Sequence, residues 1–259
     1  MSFTQWLIVN VPSALLGALV VVVSVGISAV SLFLVRRFIP HKKFKVHNDV
    51  AGAMFGTVGV AYAVLLAFVA VIVWGDFNKA SENVEREANC VASLYAYTEA
   101  FAPSSAVPIR AALKKYARLV THEEWPMLAI AQESNRVAEC VQEIGTLYAG
   151  YLPAGTTDTV YFSLSVEKFN ELCQLRRERL YAAGNGVHPV FWVVLIAGAL
   201  VTITFTVFFG SENTGAHHMM AMLLASLIGL ILFTVPVFDY PFSGSVSIPA
   251  RAFNRILSY

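Results

Sequence analysis

Charge is what this sequence lacks most. Only 14% of its 259 residues are Asp, Glu, Lys or Arg, where a soluble domain carries about a quarter. None of them falls inside four stretches at about 11–35, 50–74, 189–209 and 216–238. With no acidic or basic residue in mid-stretch, a proton-coupled pump or an ion-coupled transporter built on a buried carboxylate is disfavoured. Cysteine is scarce too: Cys90, Cys140 and Cys173 all lie between the second and third stretches, without Cys-x-x-Cys or His-rich zinc spacing. That argues against a disulfide scaffold and a structural metal. There is no Gly-x-Ser-x-Gly, no phosphate-binding loop and no His-Glu-x-x-His, so no enzyme and no cofactor is expected. A net charge of +1 without a dominant basic block points away from nucleic acid.

What remains is apolar: 57% of the residues are hydrophobic and the mean hydropathy is +0.62. Each stretch is long enough for a helix to cross about 30 Å of hydrocarbon. The expected fold is an all-α integral membrane protein with four transmembrane helices and a helical soluble domain between the second and third. No Lys or Arg precedes the first stretch, and it exceeds the roughly 7 to 15 apolar residues of a secretory signal, so it reads as a retained span. The expected organisation is a first hairpin (1–74), a helical extramembrane domain (75–188), a second hairpin (189–238) and a tail (239–259). Four spans put both termini and 75–188 on one side and the two short loops together on the other. Arg36, Arg37, Lys42, Lys43 and Lys45 place the first short loop in the cytoplasm by the positive-inside rule. Lys79, Arg86, Arg176, Arg177, Arg179, Arg251 and Arg255 on the other side nearly cancel that bias.

Between the hairpins, apolar residues recur at helical spacing. Val84, Ala88, Val91, Tyr95 and Thr98 form one stripe; Ile109, Leu113, Tyr116 and Val120 a second; Val137, Val141, Ile144 and Tyr148 a third; Val166, Phe169, Leu172 and Leu175 a fourth. Each reads as an amphipathic helix that needs a partner face. Pro103, Pro108, Pro126, Pro153 with Gly155, and Gly184–Gly186 mark expected joints. Between Trp74 and Asn83 no proline intervenes, so the second span is expected to run on as one rod.

The second span carries the most information. Gly52, Gly56, Gly59 and Ala63, continued by Ala67 and Ala70, share a face that lets another backbone approach. Phe55, Tyr62, Leu66 and Val69 make a bulkier stripe, read either as core or lipid contacts or as an apolar constriction lining a pore. At its start Asn48 suits a helix cap and Asp49 the positive end of the dipole. Parity puts His41, His47, Asn48 and Asp49 on the surface shared by Glu212, Asn213, His217 and His218, a polar cluster open to a metal or a proton-sensitive role. Gly17, Ser24, Ser28 and Ser31, and Thr202 and Thr206, are expected to bond back to backbone or to line a watery path. After the last span Asp239 reads as a clamp to Arg176, Arg177 or Arg179, or as part of a charged ring at a pore mouth.

The runs "HNDVAGAMFGTVGVAYAVLLAFV", "WGDFNKASENVEREANCVASLY" and "FDYPFSGSVSI" resemble the bestrophin-like domain family of bacterial membrane proteins. The resemblance spans nearly the whole chain. It implies a distant similarity to bestrophins, homopentameric anion channels with four membrane helices per subunit and a helical cytosolic domain between the second and third. On that footing the second span corresponds to the pore-lining helix. The acidic calcium clasp of animal bestrophins has no counterpart here, and the basic first loop favours the opposite orientation. The expectation is a homo-oligomeric ion channel of the bacterial inner membrane, pentameric or tetrameric, whose partners are the lipid bilayer and further copies of itself. The alternative is a non-conducting sensor or scaffold whose middle domain binds a protein partner or signal.

Overall fold

The computed structural model describes residues 3–38, 47–211 and 213–257; His41 and Glu212 lie outside them. Among the described residues there is helix and no strand. In chain order the helices are α1 (Phe3–Asn10), α2 (Ser13–Phe38), α3 (Asn48–Tyr97), α4 (Pro103–Leu119), α5 (Trp125–Leu128), α6 (Asn135–Ala149), α7 (Thr156–Gly184), α8 (Pro189–Phe205), α9 (Thr214–Asp239) and α10 (Arg251–Leu257). Four of them, α2, α3, α8 with its 3-10 extension, and α9, are long and apolar enough to cross a membrane. The four spans expected from the sequence are therefore present. The second runs without interruption from Asn48 to Tyr97, 50 residues, or about 75 Å at 1.5 Å per residue.

The chain divides into two compact units. The membrane unit is 10–75 with 186–239, and its tightest pairing is α2 on α9. These helices approach closely because Gly229 has no side chain: a Cβ there would stand 2.9 Å from Ser24 Oγ and 3.2 Å from the Val21 Cα. Several hydroxyls on the spans are turned back onto their own helices, while Ser28 Oγ is buried without a hydrogen bond. Ser24 donates to Val20 O, Thr202 to Gly198 O and Thr206 to Ile203 O, at 2.7–2.9 Å. Each removes a buried polar group from contact with hydrocarbon.

The extramembrane unit is 1–9, 76–185 and 240–259. The four apolar stripes meet in one core that includes Val84, Val91, Ile109, Leu113, Tyr116, Val137, Ile144 and Leu172. Pro103 opens α4 at its first turn, where a missing N–H costs nothing, but Pro108 lies inside α4 and is not a joint. Pro236 likewise sits inside α9, which continues to Asp239. The N-terminal helix is tied in by Gln5, whose Nε2 donates to Ala129 O (3.3 Å) and Ala183 O (3.2 Å). Ile8 packs on Gly244, whose φ of +76° and 2.5 Å clearance to an Ile8 methyl admit no side chain.

Candidate functional site

The membrane part of α3 presents three different faces. Tyr62, Leu66 and Val69 are 7%, 3% and 5% exposed and join Val73 in the core of the membrane unit, against Leu195, Ala199, Ile203, Ala225 and Ile228. Tyr62 is seated in a notch in α8: a Cβ at Gly198 would come within 2.4 Å of its ring. Its hydroxyl donates to Leu195 O at 3.1 Å. Phe55, half-buried, lies against Phe205 and Phe209 with centroids 5.7 and 5.6 Å away. The stripe that the sequence leaves open between core or lipid contacts and a pore lining is thus turned into the subunit. Tyr62, Leu66 and Val69 are taken up by its own packing, and Phe55 partly so.

The small-residue face is open. Nothing lies within 4 Å of a Cβ built at Gly52, Gly56 or Gly59, and Gly56 and Ala63 are exposed. Farther round, Val60, Val64, Phe68 and Val71 are exposed as well. Only 22% of the apolar window of this span is buried inside the subunit, and 17% of that of the first span, against 33% and 39% for the third and last. Most of the membrane-spanning part of α3, like that of α2, therefore faces lipid or another chain.

The ends of the spans carry the polar residues. Asn48 does not cap its own helix; its amide exchanges two 2.8 Å hydrogen bonds with the backbone of Gly210, fastening α3 to the second short loop. His217 is buried, with Nδ1 2.8 Å from Arg36 Nη2 and Nε2 2.9 Å from Thr206 O. His218 Nδ1 lies 2.7 Å from Thr214 O, while His47 and Asp49 are exposed. The polar cluster thus separates into an Asn48 fastening, a His217 contact and exposed groups. Among the described residues no three His, Cys, Asp or Glu side chains come together as a metal site. At the other end Asp239, buried, accepts a 2.7 Å bond from Val187 N–H, which ties the last turn of α9 to the approach to α8.

Arg176 and Arg179 are spent elsewhere, in a charge cluster within the extramembrane unit. Arg179, fully buried, donates from Nε and Nη2 to Glu87 (2.7 and 2.9 Å) and from Nη2 to Glu124 (2.8 Å). Arg176 Nη2 donates to Glu124 at 2.6 Å, and Tyr116 to Glu87 at 2.6 Å. Trp125 lies under the Arg179 guanidinium, 5.3 Å from its ring centre. Glu124 reaches the cluster through a π-helical turn, Val120–Glu124; the extra residue turns Glu124 inward and leaves Glu123 facing Arg136 outside. Such turns re-aim side chains at the cost of regular hydrogen bonding. Burial alone would raise the Glu124 carboxyl, but Arg179 and Arg176 outweigh it and hold it below the ordinary glutamate value. Burial and then Glu87 push the Tyr116 hydroxyl well above its usual value, so it stays a donor. The sequence held a signal for this cluster. Glu87 falls on the arc of Val84 and Val91, and Arg176 and Arg179 on that of Leu172 and Leu175, charges on faces that must be buried.

The family model of the Bestrophin-like domain matches residues 22–253. The chain belongs to the Bestrophin-like family. Solved structures of a bacterial bestrophin homolog from Klebsiella pneumoniae share its fold. One single-residue variant superposes with a TM-score of 0.65 at 15% identity, over 93% of this chain and 97% of that one. Another gives 0.67 at 16%, over 92% and 95%, and a third structure 0.61 at 17%, over 92% and 95%. None of the curated proteins matches the chain. This Bestrophin-like protein is therefore a multi-pass membrane protein of channel-like fold.

Proposed function

We propose that this protein is a homo-oligomeric channel of the bacterial inner membrane, that it conducts anions, and that α3 lines its axis. The observation that carries the reading is the division of α3 into a face committed to the subunit and two that are not. The face of Gly52, Gly56, Gly59 and Ala63 is smooth enough for a neighbouring subunit's helix to approach closely. The role expected of Phe55, Tyr62, Leu66 and Val69 then passes to the exposed stripe of Val60, Val64 and Phe68, four residues apart, with Val71. Rings of such apolar side chains around an axis gate by excluding water. Buried Asp239 acts as a clamp in this scheme and contributes no charged ring. Family membership and the shared fold support the channel reading, and a pentamer follows from the bestrophin resemblance. The purified protein in planar bilayers under a KCl gradient is expected to carry current that reverses near the chloride potential. Absence of current across pH and salt, or reversal near the potassium potential, overturns the respective part of the proposal. A second reading, a sensor, draws on the continuity of α3 from membrane to extramembrane unit; it requires that bulky changes at Val64 leave function intact.

A further inference from the structure

We infer that His217 and Arg36 form a proton-operated lock at the short-loop end of the membrane unit. An arginine guanidinium keeps its charge and can only donate, so at 2.8 Å Arg36 Nη2 must meet a bare lone pair on His217 Nδ1. Nε2 then carries the single ring proton and donates to Thr206 O at 2.9 Å. Both ring nitrogens are used, and only in the neutral tautomer. A second proton has one place to go, Nδ1, where it would point at a cation. Taking up that proton requires the contact to open.

The contact matters because of what it joins. Arg36 is in the last turn of α2, Thr206 is where α8 gives way to its 3-10 turn, and His217 is in the first turn of α9. Beneath them Leu32, Val207 and Ala221 form a small separate cluster. Arg36 has no carboxylate partner among the described residues, and its Nη1 is buried without a hydrogen bond. The neutral imidazole is the group that holds this charge in place. Among the described residues the charged and titratable groups that act on it are Arg36 from α2 and His218 from α9; the end of α8 contributes the Thr206 carbonyl. Asp49 and His47 at the start of α3 are exposed. With no ion pair to a described carboxylate, Arg36 has no second partner in place when His217 is protonated. Acid therefore frees the end of α2 from α9.

The test is amide hydrogen exchange of the full chain in nanodiscs, with current measured on the same protein. Between about pH 8 and pH 4, a range taken below ordinary histidine titration because the Arg36 contact opposes the second proton, exchange in the last turn of α2 and at 206–209, corrected for the intrinsic pH effect, is expected to rise about tenfold, the scale of one charge-assisted hydrogen bond. His217→Gln keeps an acceptor and a donor but does not titrate, and its exchange is expected to stay flat. Arg36→Gln removes the repelled charge and is also expected to abolish the response, which covers the case in which His217→Gln fails to fold. A flat wild-type profile, or a response that survives in His217→Gln and vanishes in His218→Gln, overturns the lock. The exchange response does not rest on the channel reading. A pH-dependent exchange profile without current would sink the channel and leave the lock standing.

Discussion

The two units of this protein bury polar groups by opposite means. The membrane unit keeps its charges at the ends of the spans, Arg36 at one and Asp239 at the other, and in between Ser24 and Thr202 return to their own helices, Tyr62 donates to a carbonyl, and Gly198 and Gly229 let helices touch. The extramembrane unit encloses two arginines and two glutamates that neutralise one another. The difference follows from the solvent. Water surrounds the unfolded extramembrane chain, so four charges can be assembled there if every lone pair finds a donor. In hydrocarbon no such assembly is available on the way in, and close packing of small residues takes its place.

The comparison breaks most sharply at Arg179. Arg179→Met is expected to cost about 3–5 kcal/mol in unfolding of the extramembrane unit, because Glu87 is left as an uncompensated buried charge. Adding Glu87→Met should recover much of that loss, since Glu124 keeps Arg176. Chemical denaturation of both variants checks it, and a double variant no better than the single would show that packing, not charge, dominates.

In the membrane unit the corresponding change is one of volume. Gly198→Ala places a methyl 2.4 Å from the Tyr62 ring and is expected to cost about 1–3 kcal/mol by overpacking. Tyr62→Leu should relieve it, and thermal unfolding in detergent gives the measurement. A neutral response to Gly198→Ala would show that Tyr62 is loosely held.

Acid gives the smallest effect and separates the units by the group that titrates. Glu124 is held below its ordinary value of 4.5, and Lys168 and then Arg86 hold Glu171 at about 2. A depressed carboxylate contributes stability that is complete above its unfolded value and is lost as pH falls through its folded value. The melting temperature of the extramembrane unit should thus be flat from neutral pH to about pH 5 and fall only below the 4.5 of an unperturbed glutamate. At the short-loop end of the membrane unit the group that responds is His217, not a carboxylate.

Much of the architecture was legible in the sequence. Charge-free stretches gave the spans and 3.6-residue stripes gave the extramembrane core, because both follow from composition along one helix. Which face of α3 turns inward was not legible. Tyr62 is drawn in by a notch at Gly198, 136 residues later, and no pattern within α3 encodes that. Asp239 reads from the sequence as a clamp to one of Arg176, Arg177 and Arg179 or as part of a charged ring, but Glu124 takes up Arg176 and Arg179 through a π-turn that periodicity does not reveal. For the histidines, parity brought His217 to the right surface; its partner Arg36 had been read as a topology signal.

The assignment of α3's faces is tested most directly by thiol block of current. Channels with Val64→Cys or Leu66→Cys, each made in a chain with Cys173→Ser, would be treated with a charged methanethiosulfonate reagent. Current through Val64→Cys is expected to fall and current through Leu66→Cys to stay unchanged. Block at Leu66→Cys with none at Val64→Cys, or no current in either or in the unsubstituted protein, would contradict the account.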